Sequence, residues 1–382
     1  MSDPTDKRDG VPEGARTKKE LWFMIAMIVL AVLMVCVAAA TLLYNRWFQK
    51  PSLPPNSAEP GAPSVTMPPV ESGELPSETE KPVGSRRKSE DIYTILVFGS
   101  DQVSGLTDTM MVVTYDVTNQ RASVMSIPRD TLVNVRGSNK QLNAVYKSYR
   151  DSAQGLEALK NEVSNLVGFT PDYYVKIDWD LVGEMVEAIG GVWYDIPYHM
   201  DYDDPYQDLH IHFDKGSQFL NGEDAMKVVR WRKNNKWSRY AKEGGGGDTT
   251  RLGVQQGFLK AVLKQTLQIQ NLTKITQLAE LFGRRVESDL TVENLLWFGK
   301  AAIFGGLEVD DVNFFTMPHI GVYQGTYKDR VYPNQDELLA VINEHLNPYV
   351  EEVTIDKLDL IQVSKDGNAL SSSTGVLAGA RP

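Results

Sequence analysis

Residues 21–44, LWFMIAMIVLAVLMVCVAAATLLY, run for 24 positions without a charge, and no other feature limits the chain so sharply. As a helix this stretch is about 36 Å long, enough to cross a hydrocarbon core of roughly 30 Å with some tilt. A secretory signal has a shorter apolar region, about 7–15 residues, with a small-residue cleavage site close behind it. Here apolar residues continue past Ala38, Ala39 and Ala40 to Tyr44, so the segment is expected to be an uncleaved anchor. Arg16, Lys18 and Lys19 precede it, with Lys7 and Arg8 further out, against Arg46 and Lys50 behind it. That bias puts residues 1–20 on the cytoplasmic side and everything beyond residue 45 outside.

An anchor of this kind leaves the rest of the chain to fold in water. Residues 45–90 are expected to be a spacer, because positions 51–90 carry nine prolines among Ser and Glu and few large apolar groups. Such a stretch buries too little apolar surface to offset its ordering entropy. Residues 351–382 are read as a mostly disordered tail, ending in SKDGNALSSSTGVLAGARP. One folded region remains, 91–350. Its signals alternate between strand and helix. DIYTILVFGSD, TDTMMVVTYD and RASVMSI are strands, with a turn at 117–120. GLEALKNEVSNLVG is an amphipathic helix, YYVKI a strand, DLVGEMVEAIGG a helix and VWYDI a strand. Asn221 is placed to cap NGEDAMKVV, and RLGVQQGFLKAVLKQTLQI is a long helix with Leu252, Leu259, Val262 and Leu263 on one side. Interleaved strands and helices imply an α/β fold, a sheet covered on both faces.

Composition excludes several functions. A net charge of −11 argues against a nucleic-acid binder, which normally carries a basic stripe. The single cysteine, Cys36, lies inside the apolar segment, so no intrachain disulfide forms and thiolate chemistry is a poor fit. Walker, GxSxG, HExxH and strand–GxGxxG–helix motifs are absent.

The polar residues converge if the first three strands are neighbours. Strand one then ends at Asp101, strand two begins at Asp108, and strand three ends just before SIPRDT delivers Arg129 and Asp130 to the same edge. Ligands of open α/β sheets bind at such strand ends. Asp101 and Asp108 flank a Ser-Gly turn, which is either turn chemistry or a pair of carboxylates for a hard cation such as Mg²⁺. Arg129 and Asp130 close a loop by ion pairing or rim an anion site. Arg251 sits in the first turn of the long helix with Asp248 as its expected cap. A cation there opposes the helix dipole by about 0.3–1 kcal/mol, a conflict that a bound phosphate or a surface carboxylate would remove. Arg230 and Arg232 flank Trp231 on either a solvated face or an anion site. In DLHIHFD, His210 and His212 alternate as strand residues do, downstream of Asp201, Asp203 and Asp204; a half-exposed strand and a metal site both fit.

In order, GSD, TDTMMV, SIPRDT, QLNAVY, GGVWYDIP, KGSQFLNGEDAMKVVRWR and GDTTRLGVQQ resemble the LytR–CpsA–Psr family over about residues 91–348. The resemblance implies a three-layer α/β/α sandwich around a twisted mixed sheet, behind one N-terminal transmembrane helix. It implies transfer of a glycopolymer, such as a teichoic acid or capsular polysaccharide, from a polyprenyl-pyrophosphate carrier to peptidoglycan at the outer membrane face. It implies Asp101 and Asp108 as Mg²⁺ ligands, Arg129, Arg230, Arg232 and Arg251 as pyrophosphate contacts, Gln255 as a substrate contact and Asp248 as a functional acid. Charge arithmetic agrees with that set. Carboxylates and a pyrophosphate a few ångströms apart repel by about 4 kcal/mol per pair at an effective dielectric of 20, so a divalent cation and several arginines must accompany them. A lipid-pyrophosphate hydrolase and a non-catalytic module that binds lipid-linked polymer use the same residues and stay open. The chain departs from the family at Gln141 and Val254, where basic residues are usual, and in an expanded loop between Arg232 and Asp248. Arg239 and Lys242 in that loop are candidates to replace the lost cations.

Overall fold

The computed structural model of the chain describes residues 48–54, 86–100, 106–137, 139–206, 208–244, 248–268 and 272–379. Among these no helix is long and apolar enough to cross a membrane, and the expected anchor at 21–44 lies outside them. The chain divides into two compact units, 1–49 and 50–382, of which the second holds the fold.

The first three strands, β1 (Ile92–Ser100), β2 (Thr107–Asp116) and β3 (Arg121–Ile127), form an antiparallel meander, as the turn at 117–120 requires. Next come α1 (Ser152–Val167), β4 (Tyr173–Asp178) and α2 (Trp179–Ile189). Asp151 caps α1, accepting from the amides of Ala153 and Gln154, and Gly168 ends it at φ 79°. Two hairpin-like pairs then form a smaller lobe: β5 (Val192–Ile196) with β8 (Gly216–Leu220), and β6 (Met200–Asp204) with β7 (Leu209–Phe213). The lobe is closed by α3 (Gly222–Arg230), capped by Asn221 as expected, and by α4 (Asp248–Thr266). The chain continues through α5 (Leu272–Arg285), β9 (Glu287–Ser288), α6 (Val292–Gly305), β10 (Val312–Thr316), β11 (His319–Gly321), β12 (Val331–Pro333), α7 (Gln335–Val341), β13 (Ile361–Val363) and β14 (Leu370–Ser372).

Six strands share one mixed sheet in the order β10-β3-β2-β1-β4-β9. β10 is parallel to β3 and β4 parallel to β1, so the carboxyl ends of β1, β3, β4 and β10 lie along one edge. Alternation along the strands divides the residues between two faces. Leu96, Phe98, Met110, Val112, Met125 and Ile127 pack under α1 and the 338–360 segment. Ile95, Val97, Met111 and Val113 face the layer that contains α4, α5 and α6.

Two expectations need correction. Residues 351–379 are ordered: Leu358, Leu360 and Ile361 are at most 1% exposed in the main core, and β13 pairs with β14. Polarity hid three apolar anchors placed among Ser, Asp and Gly. The flanks of the expected spacer also belong to the folded unit. Tyr93 Oη donates to the Pro51 carbonyl, Tyr173 Oη to that of Ser52, and Leu53 packs against the sheet. On the far flank Arg87 makes paired bonds of 2.8 Å to the buried Asp172 carboxylate. Composition averages missed these few contact residues.

Candidate functional site

The strand ends converge as the meander predicts, and the sheet adds a detail that a motif cannot carry. Gly99 pairs with Thr109 and Ser100 with Thr107, so Asp108 is the inserted residue of a β-bulge. Bulges break the pleat and re-aim a residue, and they concentrate beside functional sites. Asp101 and the side chains of Asp108 and Asp248 lie outside the described residues; residue 248 is the first of α4. Thr107, beside the bulge, is buried and donates to the Asn143 carbonyl, while the Asn143 amide donates to the carbonyl of Arg129. The turn after β3 is thereby fastened to the turn before β2.

Arg129 stands at the edge, about one-fifth exposed, with Nε 3.4 Å from Asp130 Oδ2. Gln141 Nε2 donates to the other Asp130 oxygen at 2.6 Å. The position where a basic residue was expected therefore orients the acid that faces Arg129, and does so without adding a charge.

The second set of cations comes from the smaller lobe. Trp231 is fully buried, donates from Nε1 to Asn234 Oδ1 at 3.0 Å and stacks with Tyr198. Its backbone is extended (φ −61°, ψ 134°), so burying the indole turns the neighbours Arg230 and Arg232 outward, and both are exposed. Gln255 Nε2 bonds the Val229 carbonyl at 3.1 Å, drawing the second turn of α4 against the end of α3. Arg251 is one turn earlier on the same stripe, half-buried. Gln256 Nε2 bonds Ser126 Oγ at 3.0 Å and Thr316 Oγ1 at 3.2 Å, tying α4 to the ends of β3 and β10. Gln256 and Trp231 were not singled out in the sequence; the glutamine pair and the Arg-Trp-Arg alternation were the signals available. Val254 is 1% exposed in the lobe core, so the expected basic residue has no room there. In the expanded loop the Arg239 guanidinium lies 4.6 Å from the centre of the Tyr240 ring, which stacks on His199 at 4.0 Å. Arg239 is thus held within its own loop.

Beside this edge opens an apolar cavity of about 160 Å³ between the sheet and α2 and α4, with Gly99, Thr109, Ser126 and Gln255 among its walls. A second cavity, about 450 Å³, shares Val97, Ile177 and Leu259 with it and extends to Val312 and Leu307. Together they line the sheet face from its carboxyl edge to the opposite edge. Thr109 Oγ1 and Gln255 Oε1 are buried with no hydrogen-bond partner among the described residues, an arrangement that a polar ligand group at the mouth would complete.

This geometry can hold an anionic head at the rim and an apolar chain along the sheet. The LytR_cpsA_psr family pattern matches residues 70–346. The chain is 27% identical over 269 residues to the polyisoprenyl-teichoic acid–peptidoglycan teichoic acid transferase TagV of Bacillus subtilis (strain 168), covering 67% of this chain and 65% of that protein. It is 28% identical over 214 residues to the corresponding transferase TagU of Halalkalibacterium halodurans, covering 54% of this chain and 64% of that one. It thus spans just under two thirds of the length of both relatives. The crystal structure of B. subtilis TagV superimposes with a TM-score of 0.55 at 26% identity, covering 68% of this chain and 98% of that chain. Its strand-end rim, its mixed sheet and a match over more than half its length agree: the chain belongs to the LytR–CpsA–Psr family.

Proposed function

We propose that the protein is a membrane-anchored phosphotransferase that moves a glycopolymer from a polyprenyl-pyrophosphate carrier to a peptidoglycan sugar hydroxyl on the outer membrane face. The observation that carries this is the adjacency of an arginine-bearing rim and an apolar channel along the same sheet. An amphiphile with a pyrophosphate head and a long hydrocarbon tail matches both, and each CH₂ buried in the channel contributes about 0.8 kcal/mol. The teichoic acid transferase names of the two relatives support the same class.

Arg129, Arg230, Arg232 and Arg251 bind phosphoryl oxygens, with Asp130 and Gln141 orienting the first of them. Gln255 serves at the mouth through Oε1, its amide nitrogen being bonded to Val229. Asp101 and Asp108 offer the carboxylate oxygens that suit Mg²⁺, and the bare Thr109 hydroxyl next to Asp108 fits an oxygen-rich site. When bound, the ion supplies neutralisation of charge on the phosphoryl oxygens. The acceptor hydroxyl attacks the sugar-linked phosphorus, the bond to the bridging oxygen breaks, and polyprenyl phosphate leaves. Asp248, at the start of α4, is the candidate to take the hydroxyl proton.

The test uses the full chain in detergent with Mg²⁺ and a synthetic polyprenyl-pyrophosphate saccharide, with and without peptidoglycan oligomers. Release of polyprenyl phosphate is expected to need the acceptor and to vanish in Arg129→Ala and Asp101→Ala. Release without acceptor indicates a hydrolase, and tight lipid binding with no release indicates a binding module; either outcome overturns the transferase reading.

A further inference from the structure

The smaller lobe carries a second cluster of chemistry-bearing side chains, on the outer face of the β6–β7 hairpin. Asp201 is paired with His212 and Asp203 with His210, two steps apart on each strand. The period of two places all four on one face, while Tyr202 and the fully buried Ile211 take the other. Asp203 Oδ1 lies 2.5 Å from His210 Nδ1 and 3.2 Å from His212 Nε2. One ligand atom from each of these three residues falls within 4.8 Å of the others. Ligand atoms around a tetrahedral zinc ion are spaced about 3.3 Å apart, given bonds of about 2.0–2.1 Å, so small side-chain adjustments suffice.

Two further observations separate this cluster from chance surface pairing. The far nitrogen of His212, Nδ1, is hydrogen-bonded to Asp201 Oδ1 at 3.0 Å, while that of His210, Nε2, has the Asp208 carboxylate at 3.6 Å, within ion-pair but not hydrogen-bond range. Metal-bound histidines characteristically give their other ring N–H to a carboxylate, which fixes the tautomer and the ring plane. The backbone beneath is also held. The Asp201 amide donates to Asn234 Oδ1 at 2.8 Å, that of Asp203 to Asn235 Oδ1 at 2.5 Å, and the Asn235 amide to the Asp201 carbonyl at 3.0 Å. The imidazoles are 54–55% exposed and so accessible to an ion from solution.

We propose that Asp203, His210 and His212 bind a borderline transition-metal ion of the Zn²⁺ class, with Asp201 orienting His212 and water completing the coordination. Two imidazoles and one carboxylate suit Zn²⁺, Co²⁺ or Ni²⁺; Mg²⁺ and Ca²⁺ favour all-oxygen sites. This site is separate from the proposed Mg²⁺ carboxylates. It joins β6 to β7 where the segment that follows Arg232 is fastened through Asn234 and Asn235.

Chelator-stripped full-length protein in detergent is titrated with Co²⁺ in millimolar Mg²⁺ and then with Zn²⁺, while visible absorption and bound metal per chain are followed. One Co²⁺ with the bands of a low-coordinate nitrogen–oxygen site is expected, displaced by one Zn²⁺. His210→Ala/His212→Ala abolishes the bands, and Asp201→Ala weakens binding about 10–100-fold. Asp101→Ala/Asp108→Ala leaves both unchanged, which separates this site from the proposed catalytic one. No stoichiometric uptake in Mg²⁺, or bands that persist at equal affinity in the Asp201→Ala and double-histidine variants, overturns the proposal.

Discussion

The two faces of the central sheet are made by the same strands, yet they are filled differently. On one, Leu96, Phe98, Met110, Val112, Met125 and Ile127 are each at most 1% exposed against α1. On the other, Ile95, Val97, Met111 and Val113 are only partly covered and border cavities of about 160 and 450 Å³. Protein interiors are ordinarily close-packed, with few voids larger than a water molecule. Forgone packing on one face is therefore a loss of dispersion contacts that the other face must offset. Stability and capacity for a ligand have been assigned to opposite sides of one layer.

The comparison breaks most readily with matched leucines on helices of opposite faces. Leu159→Ala, at a fully buried site on α1, is expected to cost about 3–5 kcal/mol, and Leu259→Ala on α4, already beside a cavity, about 2 kcal/mol. Equal losses in urea unfolding would erase the distinction. A somewhat smaller effect is expected from the acid on the packed side. Burial pushes the Glu162 carboxyl up to about 7 from its ordinary 4.5, partly countered by a hydrogen bond from Asn165. Between these values the native state binds the proton and the unfolded chain releases it, so this group makes stability fall as pH rises through the window. Below the window it has no effect, and above it the penalty is complete. Glu162→Gln should accordingly gain on the order of 3 kcal/mol above pH ~7 and almost nothing near pH ~4, measured by denaturant titration at both. The smallest stability change belongs to the open side. Leu259→Phe should shift unfolding by less than about 1 kcal/mol, since the new atoms enter existing space. It should nevertheless weaken binding of a long-chain polyprenyl substrate about tenfold while leaving a short-chain analogue unaffected, about 1.4 kcal/mol of lost chain burial. Equal effects on both lipids would detach the channel from the tail.

Much of this layout was legible from local pattern. The three leading strands, the Asn221 cap and the long helix after residue 248 follow from periodicity and capping chemistry, and chain direction alone put the end of β1, the start of β2 and the end of β3 on one edge. What escaped depends on partners distant in sequence. β10 joins the sheet beside β3 from residue 312, and the bulge at Asp108 exists only as a register between two strands. Val254 carries an apolar residue because its side chain is enclosed by the smaller lobe, and the bond from Gln141 to Asp130 joins residues eleven apart in sequence. The channel is invisible to a motif because its walls are ordinary core residues with space left between them.

The docking of both spacer flanks changes what a proline-rich stretch can do. Residues 51–53 are held at Tyr93 and Tyr173, and residues 86–88 at Glu351, Asp172 and Pro348. The segment 55–85 therefore leaves the folded unit and returns to it, a ring in the topological sense. Doubling its length would add only about 0.6 kcal/mol of closure entropy and no reach. Selection acting on its length would act on a segment whose two ends the same folded unit holds, a closed loop and not a tether.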